Sequence, residues 1–162
     1  MNRGITFRYS ILVLSIITYF MAIILTAVDQ WPLDSQFGSE PGFSFLLFGW
    51  INVWFFLMGG GSDGFLDTIA ALSWLANPIY WVSIVAFIKH KYYLTLISSL
   101  LSFFVALSYV WASDCFCNSD NMVPDFGLRE GYWAWLISFV MLTIGAIICL
   151  RLSYVNERVP NK

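Results

Sequence analysis

Charge is what this sequence most lacks. Only 11% of its 162 residues are Asp, Glu, Lys or Arg, against about 25% in a soluble domain. No Lys or Arg stands between Arg8 and Lys89, and no basic run occurs anywhere, so no nucleic-acid partner is expected. His90 is the single histidine, which removes the usual base for a nucleophile pair and the usual core of a zinc site. Three cysteines do not make a disulfide framework. P-loop, dinucleotide and H-E-x-x-H patterns are missing as well. The expectation is therefore a non-enzymatic chain with no catalytic residue, metal or cofactor.

What is present is apolar surface. Apolar residues make up 59% of the chain and aromatics 19%, an excess that water does not tolerate unless part of it faces lipid. Four stretches carry no charge at all: 10–28, 68–88, 92–112 and 132–150. Each has the length of about 20 residues that a helix needs to cross a hydrocarbon core of about 30 Å. An unpaired charge at mid-bilayer costs at least about 2.5–3.5 kcal/mol, so four uninterrupted runs are a strong sign of four spans. The first follows Arg3 and Arg8, as a signal peptide would. It is longer than the usual h-region of about 7–15 residues and lacks a clean A-x-A site, so a retained anchor is expected.

A fifth apolar stretch, 42–58, is broken by Gly49 and Asn52 and ends in Gly59, Gly60 and Gly61. Charge decides between crossing and not crossing. With four spans and the N-terminus inside, Arg3, Arg8, Lys89, Lys91, Arg151, Arg158 and Lys162 are all cytoplasmic and only Arg129 is outside. Nine of the ten acids then fall outside, Glu157 excepted. A fifth span with the N-terminus inside leaves three basic residues inside and five outside, against the positive-inside rule. With the N-terminus outside, the split is five inside and three outside, which the rule tolerates less well than four spans. The expected fold is thus all-α: an integral membrane four-helix bundle in one transmembrane domain, 1–162, with both termini in the cytoplasm. The 42–58 segment becomes an extra interfacial or re-entrant helix whose aromatic rings, Phe48, Trp50, Trp54 and Phe55 among them, suit the headgroup level.

Lys89-His90-Lys91 is too short to be anything but a tight turn, so spans two and three are antiparallel neighbours. Asp67 is expected to cap span two. Within a bilayer, helices meet through small residues and hydroxyls. Thr18, Ala22 and Thr26 form such a stripe on span one, Ala70, Ser73 and Asn77 on span two, Ser98, Ser102 and Ala106 on span three, and Ala134, Ser138, Gly145 and Cys149 on span four. Packing outweighs a hydroxyl-lined pore as their reading. Asn77-Pro78 lies near the middle of span two. Pro78 removes a backbone donor and frees the carbonyl of Trp74, so a kink is expected there, with a hinge or ligand contact as the functional alternative.

Cys115 and Cys117 form a C-x-C pair in the segment between spans three and four, where a disulfide is permitted. A local disulfide or idle thiols are favoured over redox or metal chemistry, since two thiols do not complete a zinc site. Asp114, Asp120 and Asp125 lack the Gly and closing Glu of a calcium loop. No span holds an Asp, Glu, Lys, Arg or His, the residues on which pumps depend at membrane depth.

Three stretches together, Phe48-Gly49-Trp50, Trp74-Leu75-Ala76-Asn77-Pro78 and Gly131-Tyr132-Trp133-Ala134-Trp135-Leu136-Ile137-Ser138, resemble a group of small uncharacterised bacterial inner-membrane proteins with four transmembrane helices. The resemblance covers about the last two thirds of the chain. It implies a multi-pass protein of the bacterial inner membrane and no particular activity. The Cys115–Cys117 pair is not part of that pattern.

The functional expectation is a protein that acts through contacts, as an accessory subunit or a small oligomer. Its partners would be the bilayer and another membrane protein or a second copy, with Phe48, Trp50, Trp54 and Phe55 as the contact surface. An immunity protein against a pore-forming toxin is the first alternative, on architecture alone. A small channel or carrier lined by Thr18, Ser73, Asn77, Ser98, Ser102 and Ser138 is the second.

Overall fold

The structure is a computed structural model that describes residues 3–30, 40–58, 69, 72–119 and 126–158. Five helices carry most of it: α1 (Arg3–Ile24), α2 (Gly42–Leu57), α3 (Ala76–Ile88), α4 (Tyr92–Ser119) and α5 (Glu130–Arg158). Three contain segments long and apolar enough to cross a membrane: Thr6–Ile24, Tyr92–Trp111 and Glu130–Val155. Rings and aliphatic chains line their outer faces; Ile97 is 64% exposed and Phe104 61%. That surface identifies a membrane protein, because water would penalise it and lipid does not.

α5 packs lengthwise against α1 and α4, while α3 packs along α4. Side-chain pairs give the directions. Thr143 on α5 donates to Ser99 on α4 across 2.8 Å, and towards the other end of α5 the Tyr132 hydroxyl donates to the carbonyl of Ala106. Ser83 on α3 donates to Ser98 on α4 across 2.8 Å. The four helices α1, α3, α4 and α5 therefore alternate in direction. The turn between α3 and α4 closes with Lys91 N–H donating to Ala86 at 2.9 Å, and His90 adopts a left-handed φ of 60° there. Gly145 lets α1 and α5 approach: a Cβ at that position would lie 2.6 Å from Cγ2 of Ile11.

The expected helix over 10–28 is shorter at its far end. α1 stops at Ile24, and Thr26–Gln30 forms strand β1, antiparallel to β2 (Glu40–Pro41) and β3 (Phe126–Leu128) in the order β2-β1-β3. The fold is all-α as expected, with one small sheet added to the helices. The cause lies in where the chain finds partners. Leu25 and Ala27 offer their carbonyls to the N–H groups of Gly42 and Arg129, each at 2.9 Å, rather than to a further helical turn. β-branched Thr26 and Val28 favour the extended form. This sheet closes the end of the bundle where α1 finishes and α5 begins.

α2 has 16 residues, about 24 Å of helix and short of the hydrocarbon thickness of about 30 Å. α3 has 13 residues and begins later than 68. Leu75 is its N-cap, without a side-chain cap, which puts Pro78 in the first turn rather than mid-helix. The helical residues Leu72 and Ser73 are followed by a turn at Trp74 and Leu75 before α3 begins, so the helical path is interrupted one turn ahead of Pro78, where a missing N–H costs least. Asp67, the expected cap, lies outside the described residues. α4 runs past 112 to Ser119, so Cys115 and Cys117 fall on its last turns; their side chains, and those of Phe48 and Phe55, lie outside the described residues.

Candidate functional site

Pro78 strands the carbonyl of Trp74, four residues before it. Asn77 answers locally: its backbone N–H donates to that carbonyl at 3.0 Å and its side-chain Nδ2 at 3.2 Å. This fixes the amide with Oδ1 turned toward its neighbours. Tyr19 of α1 donates its hydroxyl to Oδ1 across 2.9 Å, and Trp135 of α5 donates Nε1 across 3.0 Å. An amide is suited to this position, since it carries both an acceptor with two lone pairs and a donor pair. One buried side chain thereby joins α1, α3 and α5.

A second polar layer lies one helical turn along the bundle. Ser15 and Tyr80 share a 2.6 Å hydrogen bond, and Ser15 Oγ also lies 2.8 Å from the carbonyl of Ser138. Tyr19 stacks on Tyr80 with centroids 5.0 Å apart. The rings continue through Phe139 to Trp135 and Tyr132, at centroid separations of 4.9, 5.2 and 5.6 Å. Such contacts are worth about 0.5–1.5 kcal/mol each beyond buried area, and bilayer hydrogen bonds average about 0.6 kcal/mol. Together they tie α1, α3 and α5 to one another.

Beside this ladder is a cavity of about 80 Å³ between the sheet, α2 and the ends of α3 and α5. Tyr19, Asn77 and Trp135 line it together with Leu46, Gly49, Trp74 and Tyr132. α2 is fastened across it by a hydrogen bond from Nε1 of Trp74 to the carbonyl of Leu46 at 3.1 Å. Gly49 is the seat for that indole: a Cβ there would fall 2.1 Å from Cδ1 of Trp74. The stretches 48–50, 74–78 and 131–138 therefore converge here, through the Gly49–Trp74 and Asn77–Trp135 contacts. Phenol, indole, amide and hydroxyl groups bind by hydrogen bonding and stacking, which is the chemistry this lining offers.

The remaining sequence-derived residues are distributed as follows. Ser98, Ser102, Ala106 and Ser138 are buried, with Ser102 and Ser138 bonded back to the carbonyls of Ser98 and Trp135 at 3.0 and 2.6 Å. Thr18 donates to the carbonyl of Leu14 at 2.9 Å. Pro78 is exposed on the outside of the first turn of α3. Trp50 and Trp54 are 53% and 55% exposed on α2.

Sequence reasoning missed Ser15, Tyr19 and Tyr80. The available signal was depth: tyrosines belong at the interface, and both of these lie well inside charge-free runs. It also missed Arg8. Its guanidinium donates to the ring of His90, whose Nδ1 lies 3.1 Å from the hydroxyl of Tyr92, and sits 5.3 Å over the Tyr92 ring.

Comparison of the chain with protein-family models, with curated proteins and with solved structures finds no match.

Proposed function

We propose that this chain is a non-enzymatic, four-span protein of the bacterial inner membrane, with both termini in the cytoplasm, that acts by contact with another membrane protein through α2. The observation that carries the reading is the two-sided character of α2. Its Leu46 and Gly49 are committed to the bundle through Trp74. Phe43, Trp50, Trp54 and Leu57 project away from it. α2 is joined to the bundle at its start, where Gly42 N–H donates to Leu25, and at mid-helix, where Trp74 reaches Leu46, which leaves its exposed aromatic face as a contact surface. The charge distribution supports the orientation.

The channel or carrier reading is weakened by the same geometry. Thr18, Ser98, Ser102 and Ser138 each bond to a carbonyl of their own helix, and Asn77 is engaged by three neighbours. Hydroxyls so committed have less left to offer a passing ion.

A photo-crosslinking residue placed at Trp54 in living cells tests the proposal, with Ile97 on the outer face of α4 as the control. A discrete adduct from Trp54 and none from Ile97 is the expected result. Adducts at both positions, or at neither, would sink it; an adduct of twice the chain mass would identify a second copy as the partner.

A further inference from the structure

The end of the bundle opposite the sheet holds a second recess, of about 620 Å³, between α1, the α3–α4 turn and α5. Arg8, His90, Lys91 and Tyr92 form its polar side, with Ser153 across from them. Leu94 and Leu150 form its apolar side. Three features set it apart from a scatter of surface charge.

First, Arg8 is held in place. Its guanidinium donates to the His90 ring and lies over the Tyr92 ring. The left-handed φ of 60° at His90 puts that imidazole on the turn facing α1. Second, among the described residues the charge is not met by a carboxylate. Arg8 is paired with an imidazole and an aromatic face, and among the described residues no carboxylate bonds to Arg8 or Lys91. The Nε of Arg8 is buried without an acceptor among them. Third, the recess is continuous with lipid-facing surface: Tyr93, Leu94 and Ile97 are 74%, 46% and 64% exposed along the adjoining face of α4.

We propose that this recess binds the phosphate of an anionic phospholipid, with Arg8 and Lys91 on the phosphate oxygens and the acyl chains along Leu94 and Ile97. Guanidinium and ammonium groups form charge-assisted hydrogen bonds to phosphate oxygens. Basic recesses between helices, at the depth where headgroups lie, are placed to take them. The apolar continuation favours a lipid over a free phosphate, which would gain nothing from it. His90 acts as a positioning residue for Arg8. The site is independent of the α2 contact proposed above.

The test uses the full chain in phosphatidylcholine nanodiscs containing a minor fraction of phosphatidylglycerol. Native mass spectrometry after release counts retained lipid. Retention of phosphatidylglycerol over phosphatidylcholine is expected, falling about fivefold in Lys91→Gln and in Arg8→Gln. Lys89→Gln, which removes a neighbouring charge outside the recess, is expected to leave retention nearly unchanged. Equal losses at Lys89 and Lys91 would mean general surface attraction and overturn the site, as would no preference between the lipids. Displacement of the lipid by added glycerol phosphate at low concentration would overturn the assignment to a lipid and leave a soluble phosphate as the ligand. Lys91 is an exposed turn residue, so its variant remains informative if Arg8→Gln fails to fold.

Discussion

Trp135 donates its indole N–H to the side-chain carbonyl of Asn77 across 3.0 Å, so α5 is tied to α3 through an amide that also receives the Tyr19 hydroxyl. Both donors come from helices other than the one that carries the amide. A double-mutant cycle of Asn77→Ala with Trp135→Phe, read as unfolding free energy in mixed micelles, is expected to give a coupling of about 0.6–1.7 kcal/mol. A coupling indistinguishable from zero would show that the hydrogen bond contributes nothing beyond packing. Asn77→Asp should be worse than Asn77→Ala, since a carboxylate at depth costs at least about 2.5–3.5 kcal/mol.

Gly49 and Trp74 occupy one space, with 2.1 Å between the indole and an added Cβ. Gly49→Val is expected to destabilise the protein by about 1–3 kcal/mol, the usual cost of overpacking. The same change in a Trp74→Ala background should cost much less, because the clashing group is gone. Equal costs in the two backgrounds, measured by the same unfolding titration, would mean that α2 does not rest on Trp74.

Pro78 stands in the first turn of α3. Pro78→Ala is therefore expected to change stability by no more than about 1 kcal/mol, since no interior hydrogen bond is regained. A stabilisation near 3 kcal/mol would place the proline inside a continuous helix and contradict the break at Leu75.

The orientation proposed here makes a labelling prediction. Single cysteines at Ser39, Ser62 and Ser119, in a background lacking the native thiols, should react with an impermeant reagent applied to intact cells. Cysteines at Asn2, His90 and Asn161 should not. Labelling at Asn2 with protection at Ser39 would instead mean that α2 crosses and the N-terminus is outside.

The long apolar helices follow from charge-free runs, because moving a charge into lipid costs more than any local preference can return. Their ends did not follow so well. α4 continues through a polar stretch to Ser119, because extending a helix already formed is easier than starting one. α1 ends before Val28, because Leu25 and Ala27 find backbone partners 17 and 102 residues away, at Gly42 and Arg129. Local periodicity carries no information about such a distant donor.

The same division holds at the candidate site. That Asn77 sits at membrane depth and that Pro78 strands the Trp74 carbonyl are properties of the local chain, set by covalent geometry and the lack of charge around them. Which groups complete the amide was decided only when α1 and α5 brought Tyr19 and Trp135 to it. Composition and the order of charges determined that this is a membrane protein of long helices. Tertiary packing decided the sheet, the cavity under α2 and the Arg8–His90–Tyr92 recess, because each depends on groups remote in sequence that meet only when the helices align side by side.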